Sequence, residues 1–181
     1  MDVKITYEDF LKQKQIKAVS SGFDVTTEEI NPMLFDFQKD IVRWCLKKGK
    51  SAIWADCGLG KTPMQLEWSY QVHKKTGGDI LVVAPLAVTN QTAREGIKFG
   101  YEVNVCRKQE DVKPGINITN YEMLKYFDED KFIGIVLDES SILKSFTGKY
   151  RNLIIDKFKH TSYKLSCTAT PAPNDYMELG S

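Results

Sequence analysis

The chain has 181 residues, of which 42% are hydrophobic, and this is enough for one globular domain with a sizeable core. With 25 basic and 24 acidic residues the net charge is +1, which excludes a general electrostatic coat for nucleic acid, so that any such contact must be local. Four cysteines without a CxxC pair and two distant histidines argue against a zinc site. Without a long apolar run or a signal core, we expect a cytoplasmic protein with buried, reduced thiols and no membrane partner.

The first 30 residues give the weakest pattern. Tyr7–Lys17 is a candidate helix capped by Thr6, and Thr26–Glu29 is a candidate turn. We therefore predict an N-terminal extension of unclear role over residues 1–30 and a single domain over residues 31–181.

Short runs rich in Val, Ile and Leu then alternate with amphipathic stretches. The predicted strands are Ser51–Ala55, Ile80–Ala84, Ile116–Thr119, Ile133–Leu137 and Tyr163–Ser166, with Val103–Cys106 as a weaker candidate. The predicted helices are Leu34–Lys48, Lys61–Lys75, Val88–Phe99, Glu122–Phe127 and Tyr150–Phe158. This alternation predicts a three-layer α/β domain with a mostly parallel central sheet and helices on both faces.

A phosphate-binding loop is predicted at Ala55–Thr62, where a strand runs into a helix through Ala-Asp-Cys-Gly-Leu-Gly-Lys-Thr. Small residues let backbone N–H groups approach phosphate oxygens, and the helix N-terminus adds positive potential. The predicted phosphate contacts are Gly58, Leu59, Gly60, Lys61 and Thr62. Lys61 would place a cation on the β- and γ-phosphates of ATP, and Thr62 would offer a hydroxyl to Mg²⁺. Ala55 departs from the glycine of the full pattern, and the alternative interpretation is an ordinary glycine-rich turn.

A second candidate site follows the apolar strand at Ile133–Leu137, which ends in Asp138 and Glu139. In a nucleotide site Asp138 would hold Mg²⁺ and Glu139 would orient and deprotonate the attacking water. The alternative is an acidic pair that caps the next helix. The upstream loop favours the catalytic interpretation.

Several motifs in a fixed order resemble the superfamily-two helicases and translocases, most closely their Swi/Snf-type branch. The blocks are Phe35–Gln38 (adenine-reading motif), Asp56–Thr62 (motif I), Leu81–Pro85 (motif Ia), Ile118–Leu124 (motif Ib), Asp138–Ser145 (motif II), Thr168–Pro171 (motif III) and Glu178–Ser181. Ser141 and Ser145 depart from the branch, which has histidine and asparagine there.

The resemblance implies the N-terminal RecA-like lobe of such an enzyme, with the motif III strand between the strands of motifs I and II. It implies that Gln38 reads the adenine edge, that Phe35 or Phe37 packs on the ring, and that Thr168 and Thr170 couple nucleotide state to domain movement. Predicted backbone contacts to nucleic acid, with duplex DNA as the favoured partner, are Pro85, Thr89, Thr119, Asn120 and Tyr121.

The resemblance also implies a second RecA-like lobe that contributes arginines, so we expect this chain alone to hydrolyse ATP slowly or not at all. The favoured function is ATP-driven translocation on DNA. The alternatives are a strand-separating DNA or RNA helicase, a non-hydrolysing nucleotide- or nucleic-acid-binding module, and a small-molecule kinase, which the motifs around Thr119 and Thr168 disfavour.

Overall fold

The computed structural model describes residues 20–56, 59–140, 142 and 148–169. Some sequence predictions lie outside these residues. They are the helix at Tyr7–Lys17, the loop residue Gly58, the departures Ser141 and Ser145, Thr170 of motif III, and the block Glu178–Ser181.

Six strands and four α-helices build the described domain. The strands are β1 Lys50–Trp54, β2 Asp79–Ala84, β3 Val103–Val105, β4 Ile116–Asn120, β5 Phe132–Asp138 and β6 Tyr163–Thr168. The helices are α1 Asp36–Lys48, α2 Lys61–Thr76, α3 Leu86–Lys98 and α4 Gly148–Lys157. Short 3₁₀ helices lie at Thr27–Glu29, Gln109–Asp111, Tyr121–Tyr126 and Glu129–Lys131. Every predicted strand is present.

The strands form one sheet in the order β1-β6-β5-β2-β4-β3, and every pairing between them is parallel. The predicted α/β fold is therefore confirmed, and β6 lies between β1 and β5 as the resemblance implied. Because the strands are parallel, their carboxyl ends meet at one edge of the sheet. The phosphate-loop segment, the acidic pair and the end of β6 therefore lie side by side at that edge.

Apolar clusters cover both faces of the sheet. Along β2, Ile80 and Val82 belong to one buried cluster and Leu81 and Val83 to the other, as alternation along a strand requires. The first cluster includes α1 and α2 residues such as Trp68. The second includes residues of the Tyr121–Tyr126 helix and of α4. Apolar burial on both faces holds the carboxyl edge of the sheet in place.

The predicted helices differ from the structure mainly in their bounds, and α3 and α4 each begin two residues before the predicted start. The helix predicted from Leu34 begins at Asp36, because Leu34 is buried and the Gln38 side chain accepts a 2.9 Å hydrogen bond from the N–H of Phe35, which caps the helix. The helix predicted at Glu122–Phe127 is present, as a 3₁₀ helix over Tyr121–Tyr126. It spans six residues, which is about two 3₁₀ turns, and the side chain of Asn120 caps its start.

The segment from Ser20 to Ile30 packs against the domain. The N–H of Phe23 donates to the carbonyl of Leu46 at 3.0 Å, and Arg43 Nε donates to the carbonyl of Val25 at 2.9 Å. The predicted boundary near residue 30 remains a prediction, but Val25 and Ile30 belong to the core of the domain and Phe23 packs against it.

The three described cysteines are buried and uncharged. Burial raises the pKa of Cys45 to about 11 and that of Cys106 to about 12, and it raises the pKa of Cys167 as well. A thiol in such surroundings packs as a small apolar group. None of the described helices is long and apolar enough to cross a bilayer.

Candidate nucleotide-binding site

The carboxyl edge of the sheet brings the two strongest sequence motifs into contact. Lys61 Nζ, at the start of α2, lies 3.0 Å from Glu139 Oε1, just after β5, although the residues are 78 positions apart. A cavity of about 370 Å³ opens between these groups and α3. Its lining residues are Gly60, Lys61, Thr62, Val88, Gln91, Thr92, Glu95, Asp138 and Glu139. Its volume is in the range of small-molecule sites.

Gly60 sets the entry of the chain into α2. It has left-handed backbone angles (φ 75°, ψ 48°), and a Cβ atom on it would lie 2.2 Å from Gln38 Nε2. Any other residue would therefore be strained and would displace the Gln38 side chain. This conformation places the first N–H groups of α2, which have no partner within the helix, at the cavity.

We expect Gly60→Ala to destabilise the chain more than Gly77→Ala and to weaken ATP binding, which Gly77→Ala should not affect. Gly77 is a matched control, because it is the left-handed cap at the other end of α2 and nothing lies within 4 Å of an added Cβ. Left-handed strain costs either variant roughly 1–2 kcal/mol, and the loss of the Gln38 hydrogen bond adds about 1 kcal/mol for Gly60→Ala. Urea unfolding and ATP titration measure both effects, and equal stabilities would contradict the packing argument.

Asp138 is buried at the end of β5, and two hydrogen bonds fix the orientation of its carboxylate. Its Oδ1 accepts hydrogen bonds from Gln65 Nε2 at 2.7 Å and from the N–H of Glu139 at 3.0 Å. Its Oδ2 has no hydrogen-bond partner among the described residues. Burial raises the pKa of Asp138, and the hydrogen bond from Gln65 opposes this shift. Such a carboxylate gains by receiving a cation, so the site fits a divalent metal.

Glu139 has a strained backbone. Its φ of 50° makes it the one non-glycine residue in the described ranges with a positive φ. Strained backbone of this kind is concentrated at functional sites. Here it accompanies the turn that points the carboxylate at Lys61.

Gln38 connects α1 to the phosphate loop. Its side chain is buried, its Oε1 accepts from the N–H of Phe35, and its Nε2 donates to the carbonyl of Leu59 at 3.0 Å. Phe35 and Phe37 are exposed beside it, with ring centroids 6.1 Å apart and an interplanar angle of 10°. The oxygen and the nitrogen of this amide can each form one further hydrogen bond. The predicted contact between Gln38 and adenine remains a prediction.

Thr168, the predicted coupling residue, is buried at the end of β6. It pairs with Trp54 in the sheet, and its carbonyl accepts from the N–H of Ala55 at 3.2 Å. The start of the phosphate loop is therefore tied to the motif III strand, although the proposed coupling itself remains a prediction.

The predicted nucleic-acid residues have mainly internal contacts. Thr89 is buried with its hydroxyl 3.0 Å from the carbonyl of Leu86, and Thr119 is buried. Asn120 caps the following 3₁₀ helix, and the hydroxyl of Tyr121 donates to the carbonyl of Asp138 at 2.7 Å. Only Pro85 is partly accessible. The contacts to nucleic acid remain a prediction, and four of the five predicted side chains are buried.

The sequence interpretation missed several lining residues. Gln65 lies three positions after Thr62 on the same helix, so helical periodicity could have placed it near the site. Gln91, Thr92 and Glu95 line the cavity from α3, and no spacing in the sequence indicates that α3 folds back over the loop.

The sequence over residues 11–173 matches the family model described as type III restriction enzyme, res subunit, or ResIII. This chain belongs to the ResIII family. A comparison with curated protein sequences gave no significant match. The match covers both the predicted phosphate loop and the acidic end of β5.

The ResIII domain is similar to solved helicase structures. It matches the UvsW helicase of bacteriophage T4 with a TM-score of 0.66 and 16% identity over 93% of this chain and 61% of that chain. It matches a Sulfolobus solfataricus SWI2/SNF2 ATPase core in complex with dsDNA with a TM-score of 0.69 and 20% identity over 83% of this chain and 35% of that one. The Pyrococcus furiosus Hef helicase domain gives a TM-score of 0.63 at 18% identity, covering 80% of this chain and 34% of that chain.

The chain therefore spans less than two thirds of the length of each of these structures, and only about a third of two of them. With the family match, the shared fold identifies a superfamily-two RecA-like lobe of the helicase-type ATPases. Enzymes of this type generally use ATP with a divalent metal.

Proposed function

We propose that this chain is the first ATP-contacting lobe of a DNA-dependent ATPase that translocates on or remodels duplex DNA. The observation that carries the proposal is the convergence of Lys61, Thr62, Asp138 and Glu139 on one cavity at the carboxyl edge of the sheet. A cation, a hydroxyl and two carboxylates at a helix N-terminus are the groups that ATP hydrolysis requires.

Each of these residues has one role in the proposed reaction. Lys61 and the N-terminus of α2 bind the β- and γ-phosphates. Thr62 and Asp138 provide the hard oxygen ligands that suit Mg²⁺, which when bound neutralises phosphate charge. Glu139 orients a water molecule and accepts its proton.

The ion pair between Lys61 and Glu139 places the proposed phosphate-binding cation beside the proposed base. The two side chains are 12% and 35% exposed, and their charged atoms are 3.0 Å apart. When phosphates bind, Lys61 would exchange this carboxylate for phosphate oxygens. Glu139 would then be free to accept a proton, so nucleotide binding itself would prepare the base.

The adenine would lie at the Gln38 end of the loop. Phe35 and Phe37 offer exposed aromatic surface there, and Gln38 is already joined to the loop through Leu59. Burial of an aromatic face against adenine would add affinity without phosphate contacts.

A second lobe is needed to complete the site. The sequence contains four arginines, at positions 43, 94, 107 and 151, and none of them lines the cavity. An arginine in the transition state raises the rate of related phosphoryl transfers by about 10³–10⁵. We therefore propose that hydrolysis by this chain alone is very slow and that an arginine from a second RecA-like lobe accelerates it.

DNA as the partner is supported by the solved structures with this fold, one of which is described as a complex with dsDNA and another as a complex with a DNA substrate mimic. Because the net charge of the chain is only +1, we propose that it makes few contacts to the DNA backbone. These contacts would lie near Pro85 and the segment from Thr119 to Tyr121.

The function is tested by ATP turnover of the assembled two-lobe ATPase with duplex DNA, single-stranded DNA or RNA. We expect duplex DNA to stimulate turnover most, with no strand displacement. Displacement of a labelled strand would favour the helicase alternative. Equal turnover with and without every nucleic acid would contradict the proposal.

A further inference from the structure

Gln65 occupies an unusual place on α2. Its side chain is fully buried, at 0% exposure, and its Nε2 donates a 2.7 Å hydrogen bond to Asp138 Oδ1. Thr62, the proposed partner of Asp138 in metal binding, lies three residues earlier on the same face of the helix. Gln65 therefore joins the helix that carries one metal ligand to the strand end that carries the other.

The hydrogen bonds leave the two oxygens of Asp138 unequal. Oδ1 accepts from both Gln65 and the N–H of Glu139, whereas Oδ2 has no partner in the described part of the chain. A carboxylate held in this way cannot rotate about its terminal bond without losing a hydrogen bond in buried surroundings. It therefore presents Oδ2 as the oxygen that remains free for a cation.

Burying the amide of Gln65 also lowers the stability of the fold. Gln65 Oε1 is shielded from solvent and has no hydrogen-bond partner among the described residues. Unpaired buried acceptors are rare because they lose water and gain nothing in return. A methionine of similar length would fill the space without that acceptor, so packing alone gives no reason for a glutamine here.

We infer that Gln65 is a positioning residue for magnesium, whose amide holds Asp138 so that Oδ2 alone is directed to the metal of a bound nucleotide. This inference rests on the proposed function and assigns Gln65 a role at the same site. Residues that orient a metal ligand in other proteins change metal affinity by about 10–100-fold when they are removed.

The test is calorimetric titration of this chain with ATP, once with Mg²⁺ and once with EDTA. The ratio of the two dissociation constants is the metal increment of binding. We expect Gln65→Met to lower the increment by about 10-fold or more and to leave metal-free ATP binding unchanged. Gln65→Asn, which retracts the amide by one methylene, should lower the increment as well. This variant replaces Gln65→Met in the test if the methionine variant does not fold.

Gln71→Met is the matched control. Gln71 is a second buried glutamine on α2, and its Nε2 donates to a buried carboxylate, Glu67 Oε1, at 2.8 Å. The same chemical change at this position should leave the metal increment at the wild-type value. Thermal unfolding of every variant shows whether it is folded.

The outcomes separate this inference from the proposed function. If wild type has a metal increment and folded Gln65→Met keeps it, the positioning role is wrong and the nucleotide site stands. An equal loss in Gln71→Met would also overturn the inference, because the effect would be one of general helix packing. If wild type binds no nucleotide, the proposed function and this inference both fail.

Discussion

Replacing Glu139 by glutamine is expected to lower ATP turnover of the assembled ATPase by about 10²–10⁴-fold while ATP still binds. The glutamine keeps the size of the side chain but cannot accept the proton of the attacking water. Since the variant also removes a negative charge from the phosphate end of the cavity, ATP affinity should stay the same or increase. The expected product is an enzyme trapped with ATP.

Glu95→Gln is the control for this variant, because Glu95 lines the same cavity from α3 and the substitution removes the same charge. Single-turnover hydrolysis and filter binding of labelled ATP measure the two effects. Wild-type biological function with a hydrolysis-dead Glu139→Gln enzyme would support the non-hydrolysing alternative. Turnover within a few-fold of wild type would remove Glu139 from the proposed mechanism.

Lys61→Ala is expected to weaken ATP binding to this chain by about 10–150-fold, since a hydrogen bond to a charged group contributes about 1.5–3 kcal/mol. The ion pair with Glu139 is partly exposed, so its loss should cost under about 1 kcal/mol of stability. The variant should therefore fold and still fail to hold the phosphates. This combination separates a binding role from a structural one.

Lys74→Ala provides the comparison for Lys61→Ala. Lys74 is an exposed lysine near the other end of α2, and its removal should change neither ATP affinity nor stability. Calorimetry with ATP and Mg²⁺ measures the affinities, and urea unfolding measures the stabilities. Unchanged affinity in Lys61→Ala would show that phosphates bind elsewhere.

The strand pattern of this chain could be predicted from local sequence. Strands buried on both faces are short continuous runs of β-branched and apolar residues, and all six were recognised in that way. Element ends were less predictable, because they depend on side chains that reach back to the backbone. The Gln38 side chain accepts from the N–H of Phe35 and so fixes the start of α1, and the Asn120 side chain caps a 3₁₀ helix that begins one residue before the predicted start.

The positions of the four candidate residues that would bind and hydrolyse ATP could be predicted from sequence, because each of the two motifs is local. Lys61 and Thr62 follow a strand and open a helix, and Asp138 and Glu139 end another strand. Their mutual contact depends on strand order, which the resemblance supplied and local patterns did not. The 3.0 Å ion pair between Lys61 and Glu139 is a consequence of that order.

The other site residues could not be predicted reliably, because the sequence does not show which polar side chains are buried. Thr89, Asn120 and Tyr121 are polar residues near strand ends, which suggested contact with a ligand, yet their side chains satisfy internal groups. Gln65 was overlooked for the opposite reason, because a glutamine in an amphipathic helix is usually solvated. A single sequence shows residue types and spacing, whereas these roles depend on which polar groups are buried together.

A calorimetric series of ATP, ADP and AMP with Mg²⁺ on this chain tests whether the cavity at Lys61 and Asp138 binds the phosphates of a nucleotide. The site contacts the β- and γ-phosphates in the proposed mode, so ATP and ADP should bind and AMP should bind far more weakly or not at all. Equal affinity for all three nucleotides, or binding of none, would contradict the assignment.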